Sequence, residues 1–215
     1  MWKNAEGYLS KDKYIEPLIK KYGHCALKPR PKKYYFEDLV DAIIQQQLSM
    51  SAATAIFNRV KLSIADRKDS KISDKHKWRS NKTLKVKITP KKILMLSDKN
   101  FRDCGLSRAK IIYIRDLAGK VIANKLLIKK LDKLMDDEVI EKLTAVKGIG
   151  IWTAHMFLMF SLARQDIFPV GDLGLRNAFK KVVGKNLDNN KMEKFSYRWK
   201  PYRTIAAWYI WKVFE

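Results

Sequence analysis

The sequence predicts an all-α fold, and three observations support this prediction. Apolar residues recur at helical spacing, first at Phe36, Leu39, Val40, Ile43 and Ile44. The segment 151–163 is apolar on nearly every side, which is typical of a buried central helix. Alternation of apolar and polar residues, the pattern of a half-buried strand, is found only at residues 84–88.

Two further helices are predicted from their starting signals. Ser107 is a suitable N-cap for a helix whose apolar face consists of Ile111, Ile114, Leu117, Ala118 and Val121. Pro201 is suited to the first turn of a last helix, which we expect to end near Phe214.

The composition indicates a globular protein with a polyanionic partner. Hydrophobic residues make up 47% of the 215 residues, enough for a sizeable core. Lysine and arginine number 45 against 22 acidic residues, a formal net charge of +23. Nucleic acid is the first candidate for the partner, and an anionic membrane surface is the second. The remaining alternative is that the excess of positive charge has no specific partner and only keeps the protein in solution.

Residues 66–88 form a basic segment, here called the basic insertion. It carries nine Lys or Arg residues against three Asp and has little apolar periodicity. A solvated surface loop and a segment that contacts DNA both fit this composition.

The cysteines and the longest apolar run exclude other classes of protein. Cys25 and Cys104 are the only two cysteines, so the chain lacks the four thiolates of an iron–sulfur cluster and any disulfide framework. We therefore expect a reducing, intracellular location. No signal peptide is recognisable at the start, and residues 151–163 are too short to span a bilayer, so we expect no membrane partner.

Two glycines, Gly148 and Gly150, flank Ile149 between two predicted helices. Glycine permits positive φ and close approach of the backbone, so successive N–H groups can point outward at a helix start. Such a site suits a phosphate. By itself the pattern also fits a plain tight turn.

The surrounding segments give this turn a context. Residues 143–154 resemble the helix-hairpin-helix motif of base-excision DNA glycosylases, and residues 168–176 resemble the loop that carries their catalytic aspartate. Three further segments match in the same order, and they are 44–49, 105–110, and 199–203 followed by Trp208 and Trp211. Together they are similar to the 3-methyladenine DNA glycosylase II branch over roughly residues 35 to 215.

The resemblance implies a glycosylase fold of two helical subdomains flanking a DNA-binding cleft. We expect one subdomain to span residues 33–164, with the hairpin at 143–154, and the other to combine 1–32 with 165–215. It further implies a monomer that acts, inside the cell, on double-stranded DNA containing damaged bases.

The catalytic role in this family falls on Asp172, which would stabilise the cationic sugar formed as a flipped base leaves. An N-cap on the helix beginning at Leu173 is the alternative role for Asp172. In bifunctional relatives a lysine stands where this chain has Trp152, so the resemblance implies a monofunctional enzyme.

Other site residues follow from the same resemblance. Electron-rich rings suit a cationic alkylated base, which makes Trp152, Trp208 and Trp211 pocket candidates, although each also fits a helical core. The expected DNA contacts are Lys147, Gly148, Ile149, Gly150 and Thr153 in the hairpin, and Gln46, Gln47 and Leu48 in a turn. Gln47 or Leu48 would wedge into the gap left by the flipped base, or the turn is simply an exposed polar helix end.

No cofactor is required by this interpretation. The backbone carbonyls of Thr144, Val146 and Ile149 match those that hold a monovalent cation in relatives. Three rival functions remain open, and they are a bifunctional glycosylase/lyase, a non-catalytic helix-hairpin-helix DNA-binding module and an RNA-binding protein. The preferred lesion is also open among 3-methyladenine, 7-methylguanine, 1,N6-ethenoadenine and hypoxanthine.

Overall fold

The computed structural model describes residues 1–65 and 86–214, and within these ranges it contains helices and turns but no strand. This confirms the predicted all-α class. The helices are α1 (Lys3–Leu9), α2 (Glu16–Tyr22), α3 (Tyr35–Gln45), α4 (Met50–Ala65), α5 (Pro90–Met95), α6 (Asp98–Asp103), α7 (Arg108–Ile122), α8 (Asp136–Thr144), α9 (Ile151–Met156), α10 (Leu173–Val183), α11 (Asn189–Ser196) and α12 (Arg203–Trp211). Short 3-10 turns occupy Lys32–Tyr34, Ile128–Lys133, Tyr197–Trp199 and Lys212–Phe214.

The described residues group into two compact units. One unit comprises residues 31–153, here called the hairpin unit. The other joins residues 1–30 to residues 154–215 and is here called the aspartate unit.

In the hairpin unit, α3 supplies the centre of the core. All five apolar residues whose spacing predicts this helix are buried, and Leu39, Val40, Ile43 and Ile44 are inaccessible to solvent. Burying one such side chain contributes roughly 1.5–3 kcal/mol, so this face is sufficient to fix the helix against its neighbours. Those neighbours are α4 and α7.

The predicted start of α7 is confirmed. The hydroxyl of Ser107 accepts a hydrogen bond from the N–H of Lys110 at 3.4 Å, and α7 begins at Arg108. The predicted apolar face packs inward, with Ile114 and Leu117 fully buried, and α5 packs against it.

In the aspartate unit, aromatic side chains fill the core. Phe168, Phe179, Phe195 and Trp199 form a cluster of edge-to-face and tilted rings with centroids 5.3–6.4 Å apart. Helix α12 packs against α10, α1 and α2, so this core supports the start of α10.

Two predicted helices differ from those observed. The buried run beginning at Ile151 is α-helical only to Met156, continues as a π-helical turn Phe157–Ser161, and leaves Ile151 61% exposed. The last helix begins at Arg203 rather than at Pro201; its α-helical part ends at Trp211 and is followed directly by a 3-10 turn that ends at Phe214, near the predicted end. The bidentate ion pair between Arg203 and Asp166 anchors the start of that helix and outweighs the local signal of the proline.

The basic insertion lies outside the described residues up to position 85. Residues 86–88, the described end of the alternating segment 84–88, do not belong to a strand. Ile88 is buried there, and its N–H donates to a carboxylate oxygen of Glu37 at 3.2 Å. Among the described residues, no helix is both long and apolar enough to cross a membrane.

Candidate functional site

The turn between α8 and α9 is held tightly against α7. Gly148 has a φ of +77°, and a Cβ at this position would lie 2.1 Å from the ring of Tyr113. Any other residue would therefore suffer both backbone strain and a steric clash. The sequence predicts the need for glycine here, whereas the contact with Tyr113 follows only from the packing of α7.

A carboxylate on α7 fixes the residue before this glycine. Asp116 accepts hydrogen bonds from the N–H of Lys147 at 2.8 Å and from the ammonium of Lys120 at 2.5 Å. Burial by itself favours the neutral acid, but the bonds from Lys120 and from the Lys147 N–H outweigh it, and the pKa of Asp116 is lowered. Asp116 is therefore ionised at neutral pH and anchors the hairpin. Sequence reasoning missed it, although its i,i+4 spacing from Lys120 on α7 is visible in the sequence.

The exposed part of the hairpin consists of backbone atoms and the side chain of Lys147. Lys147, Gly148 and Gly150 are exposed, whereas the side chain of Ile149 is buried, so Ile149 presents only its backbone. Within the described residues, the N–H groups of Gly148 and Gly150 have no hydrogen-bond acceptor. They are therefore available to an anion from outside, as the sequence predicts for a phosphate.

The turn between α3 and α4 reaches this hairpin. The amide of Gln46 donates to the carbonyl oxygen of Gly148 at 2.8 Å and to the hydroxyl of Thr153 at 3.3 Å. Thr153 is buried, so its hydroxyl serves this contact rather than the surface. Gln47, with a φ of 58°, and Leu48, 40% exposed, form the accessible tip of the turn.

In the aspartate unit, Asp172 is the N-cap of α10. Its Oδ1 atom accepts hydrogen bonds from the N–H of Leu175 at 2.6 Å and from the indole N–H of Trp211 at 3.0 Å. The sequence-based alternative, a helix cap, is therefore part of its role. The second donor is not needed for capping, and it restrains the orientation of a half-buried carboxylate.

Gly174 lies close to both Asp172 and Trp211. A Cβ there would lie 3.1 Å from Oδ1 of Asp172 and 3.6 Å from the indole nitrogen of Trp211. Glycine at this position therefore leaves room for both side chains at the start of α10. A fixed anion beside an aromatic ring can stabilise developing positive charge and accept a proton.

The three tryptophans have different environments. Trp211 is half-buried and packs on Phe160, with ring centroids 5.9 Å apart. Trp208 is also half-buried, and it lies edge-on to Tyr209 at 4.9 Å. Trp152 is 37% exposed at the start of α9 in the hairpin unit. The structure therefore brings Trp211 directly to Asp172.

The described residues contain no group of three or more His, Cys, Asp or Glu side chains that would suit a metal ion. Cys104 is buried and Cys25 partly buried, and both are free thiols. Burial raises the pKa of Cys25 to about 11, so that this thiol stays protonated at neutral pH.

Comparison with known proteins places this geometry in a family. The model of the "HhH-GPD superfamily base excision DNA repair protein" matches residues 40–203. Alkylbase DNA glycosidase-like protein mag2 of Schizosaccharomyces pombe is 32% identical, covering 99% of this chain and 93% of the relative. DNA-3-methyladenine glycosylase 1 of the same yeast is 36% identical, covering 85% of this chain and 73% of the relative.

Solved structures agree with the sequence relatives. The S. pombe 3-methyladenine DNA glycosylase Mag1, in complex with abasic DNA, superposes with a TM-score of 0.80 at 34% identity, covering 98% of this chain and 96% of that one. A DNA-3-methyladenine glycosidase from Bacillus halodurans gives 0.77 at 34% identity, with 98% and 88% coverage. The chain belongs to the HhH-GPD superfamily of base excision DNA repair proteins.

Proposed function

We propose that this protein is a monofunctional DNA glycosylase that hydrolyses the N-glycosidic bond of alkylated bases flipped out of double-stranded DNA. The observation that carries the proposal is the carboxylate of Asp172, held by the Leu175 N–H and the Trp211 indole. It stands in a chain whose relatives are named 3-methyladenine DNA glycosylases.

Asp172 acts on the sugar. A base inside the duplex is inaccessible, so the nucleotide is first rotated out of the stack. As the bond to the base breaks, positive charge develops on the sugar, and the fixed carboxylate stabilises it. The same carboxylate accepts a proton from the water that attacks the sugar.

The aromatic residues act on the base. Alkylated purines carry positive charge, so an indole face attracts them by stacking and by cation–π interaction. We assign this role to Trp211, Trp152 and Trp208. Trp211 then has two functions, because its N–H holds the catalytic carboxylate while its ring faces the base.

The hairpin binds the DNA backbone. The exposed N–H groups of Gly148 and Gly150, supported by the charge of Lys147, receive a phosphate, and Gln47 or Leu48 fills the gap left by the flipped base. Binding in this way requires one copy of the chain, so we propose a monomer that acts on the DNA inside the cell.

A monovalent cation at the hairpin is compatible with the geometry. The carbonyl oxygen of Val146 accepts the N–H of Ile149 at 3.1 Å and keeps a second lone pair. With the carbonyls of Thr144 and Ile149 it would hold a cation, which would supply positive charge beside the phosphate. The hydrolysis itself requires no cofactor in this proposal.

The test is release of bases from methylated duplex DNA, with each product identified by mass. Wild-type protein should release alkylated purines. Asp172→Asn keeps the capping ability of the side chain but removes its charge, so we expect a loss of about a hundredfold or more in the single-turnover rate.

Asp188→Asn is the matched control for this substitution. Asp188 is the N-cap of α11 and accepts from the N–H of Lys191 at 2.9 Å, so both variants alter the same kind of cap. Release of a neutral base such as hypoxanthine at the wild-type rate by Asp172→Asn would leave Asp172 as a helix cap only.

A further inference from the structure

Lys110, on α7, binds the backbone of the turn between α3 and α4. The ammonium of Lys110 donates to the carbonyl oxygen of Ile44 at 2.7 Å and to that of Gln46 at 2.6 Å. These carbonyls belong to the C-terminal end of α3, where the helix itself provides no donors. A cation at this position also complements the negative end of the helix dipole.

The residue that follows has an uncommon backbone. Gln47 lies in the left-handed region with a φ of 58°, and it is exposed. A residue with a side chain stays in this region only where its surroundings hold it there. Lys110 provides that restraint on one side, because it fixes the carbonyl of Gln46 directly before Gln47.

The other side of the turn is tied to the hairpin. The side-chain amide of Gln46 donates to the carbonyl oxygen of Gly148, and Gly148 is itself fixed against the ring of Tyr113. The backbone of Gln46 is thus held by α7 and its side chain by the hairpin. These two connections join the tip of the turn to the hairpin, where the N–H groups of Gly148 and Gly150 have no acceptor among the described residues.

We propose that Lys110 and Gln46 are positioning residues. They fix the tip of the turn, at Gln47, relative to the phosphate-binding hairpin. Binding of the DNA backbone by the hairpin then places Gln47 where it can wedge into the base stack as the damaged base is extruded. The inference rests on the proposed glycosylase function. Lys110 touches neither the base nor the sugar in this arrangement. It acts on the opening of the base pair and not on the hydrolysis.

The two possible roles of Lys110, capping α3 and positioning the wedge, predict that its loss affects different substrates. Loss of a cap lowers the stability of the protein and affects every substrate alike. Loss of wedge positioning affects only those substrates in which a paired base must be extruded. A lesion in a single-nucleotide bulge is already unpaired, so it bypasses the step that Lys110 serves.

The experiment compares single-turnover release of one lesion from a fully paired duplex and from a bulge. On the paired duplex we expect about a tenfold or greater loss for Lys110→Met, which removes charge-assisted hydrogen bonds, and about a two- to tenfold loss for Gln46→Met, which removes neutral ones. For Lys110→Met, release from the bulge and affinity for undamaged duplex should stay within about twofold of wild type.

Two further variants sharpen the comparison. Lys110→Arg retains donors for both carbonyls and should restore most of the paired-duplex rate. Arg115→Met removes another cation of α7 that caps a carbonyl, that of Leu96 at 2.7 Å, and should leave the ratio of the two substrates unchanged.

Equal losses on both substrates, or no loss on the paired duplex, would overturn the inference. If Lys110→Met does not fold, Gln46→Met decides by the same ratio. If the wild type releases no base from either substrate, the proposed function fails, and hydrogen exchange then tests the coupling alone. Amides of residues 47–49 should gain protection on binding abasic duplex in the wild type but not in Gln46→Met.

Discussion

The indole of Trp211 illustrates what a single residue can contribute to this site. The sequence predicts an aromatic ring for the base pocket, but the structure also shows its N–H donating to Asp172 at 3.0 Å. Tryptophan has one donor and no acceptor, so the carboxylate oxygen must be the acceptor in this contact, and the hydrogen bond restrains its rotamer. In the proposed mechanism, Trp211 thereby connects the base pocket to the carboxylate that acts on the sugar.

The substitution Trp211→Phe separates these two contributions. Phenylalanine keeps a ring for the base but removes the donor to Asp172. A hydrogen bond to a charged group is worth about 1.5–3 kcal/mol, so we expect the single-turnover rate to fall by roughly ten- to a hundredfold. Affinity for lesion-containing duplex should change by less than about threefold, since stacking is retained.

The measurement is the release rate at saturating protein, together with a binding titration on the same duplex. A variant that loses affinity while keeping its rate would show that the indole ring serves DNA binding and that its N–H is not needed for the reaction. A variant that loses neither would remove Trp211 from the site.

Among the elements, the hairpin depends most on one glycine. At Gly148, alanine would meet the ring of Tyr113 and a φ of +77°. We expect Gly148→Ala to lose at least about 2 kcal/mol from strain and overpacking. For a protein of this size that lowers the melting temperature by about 4–8 °C.

Gly150→Ala is the internal control, because a Cβ there meets nothing within 4 Å and its φ is not positive. Thermal unfolding of the two variants should therefore differ, although both lie in the same turn. Equal melting temperatures would mean that Tyr113 moves aside and that the hairpin is less rigidly held than the contact distance indicates.

Local signals predict the elements better than the contacts between them. The spacing of Leu39, Val40 and Ile43 predicts α3, and Ser107 predicts the start of α7, because both signals act within one helix. The bonds from Lys147 to Asp116 and from Gln46 to Gly148 join residues 31 and 102 positions apart. Nothing in either local segment specifies such a partner.

The distinction between local signals and long-range contacts also explains how much of the site around Asp172 could be predicted. The position of Asp172 before an apolar helix predicts an N-cap, and the resemblance further implies the catalytic role that we propose for it. Its contact with Trp211, 39 positions away, required the packing of α12 against α10. The π-helical turn after Met156 could not be predicted from the sequence either. A segment that is apolar on every side predicts that the helix is buried, but it does not determine which backbone N–H bonds to which carbonyl.

At the scale of the whole molecule, the net charge of +23 implies binding that weakens steeply with salt. The logarithm of the affinity for undamaged duplex should fall against the logarithm of salt concentration with a slope of about −0.9 per phosphate neutralised. Residues 67–85 contain eight of the nine basic residues of the basic insertion. We expect their replacement by serine or glutamine to make the slope shallower by about 0.9 for each phosphate that the variant no longer neutralises.

This variant retains Ile88, whose buried side chain and bond to Glu37 belong to the core of the hairpin unit. Its melting temperature should therefore match that of the wild type. An unchanged slope would assign the basic insertion to a solvated loop and leave the hairpin as the main source of phosphate contacts.

The reaction product tests the molecule as a whole, because strand cleavage through an imine requires an amine at the sugar. Trp152 stands where the resemblance places that lysine, and the ammonium of Lys110 is bonded to two carbonyl oxygens of its own chain. We expect intact abasic sites that break only after alkali or a separate nuclease. Borohydride should trap no covalent complex, whereas a bifunctional glycosylase/lyase assayed in parallel should be trapped. A trapped complex would overturn the monofunctional assignment, and mass mapping of the modified peptide would identify the lysine that supplies the amine.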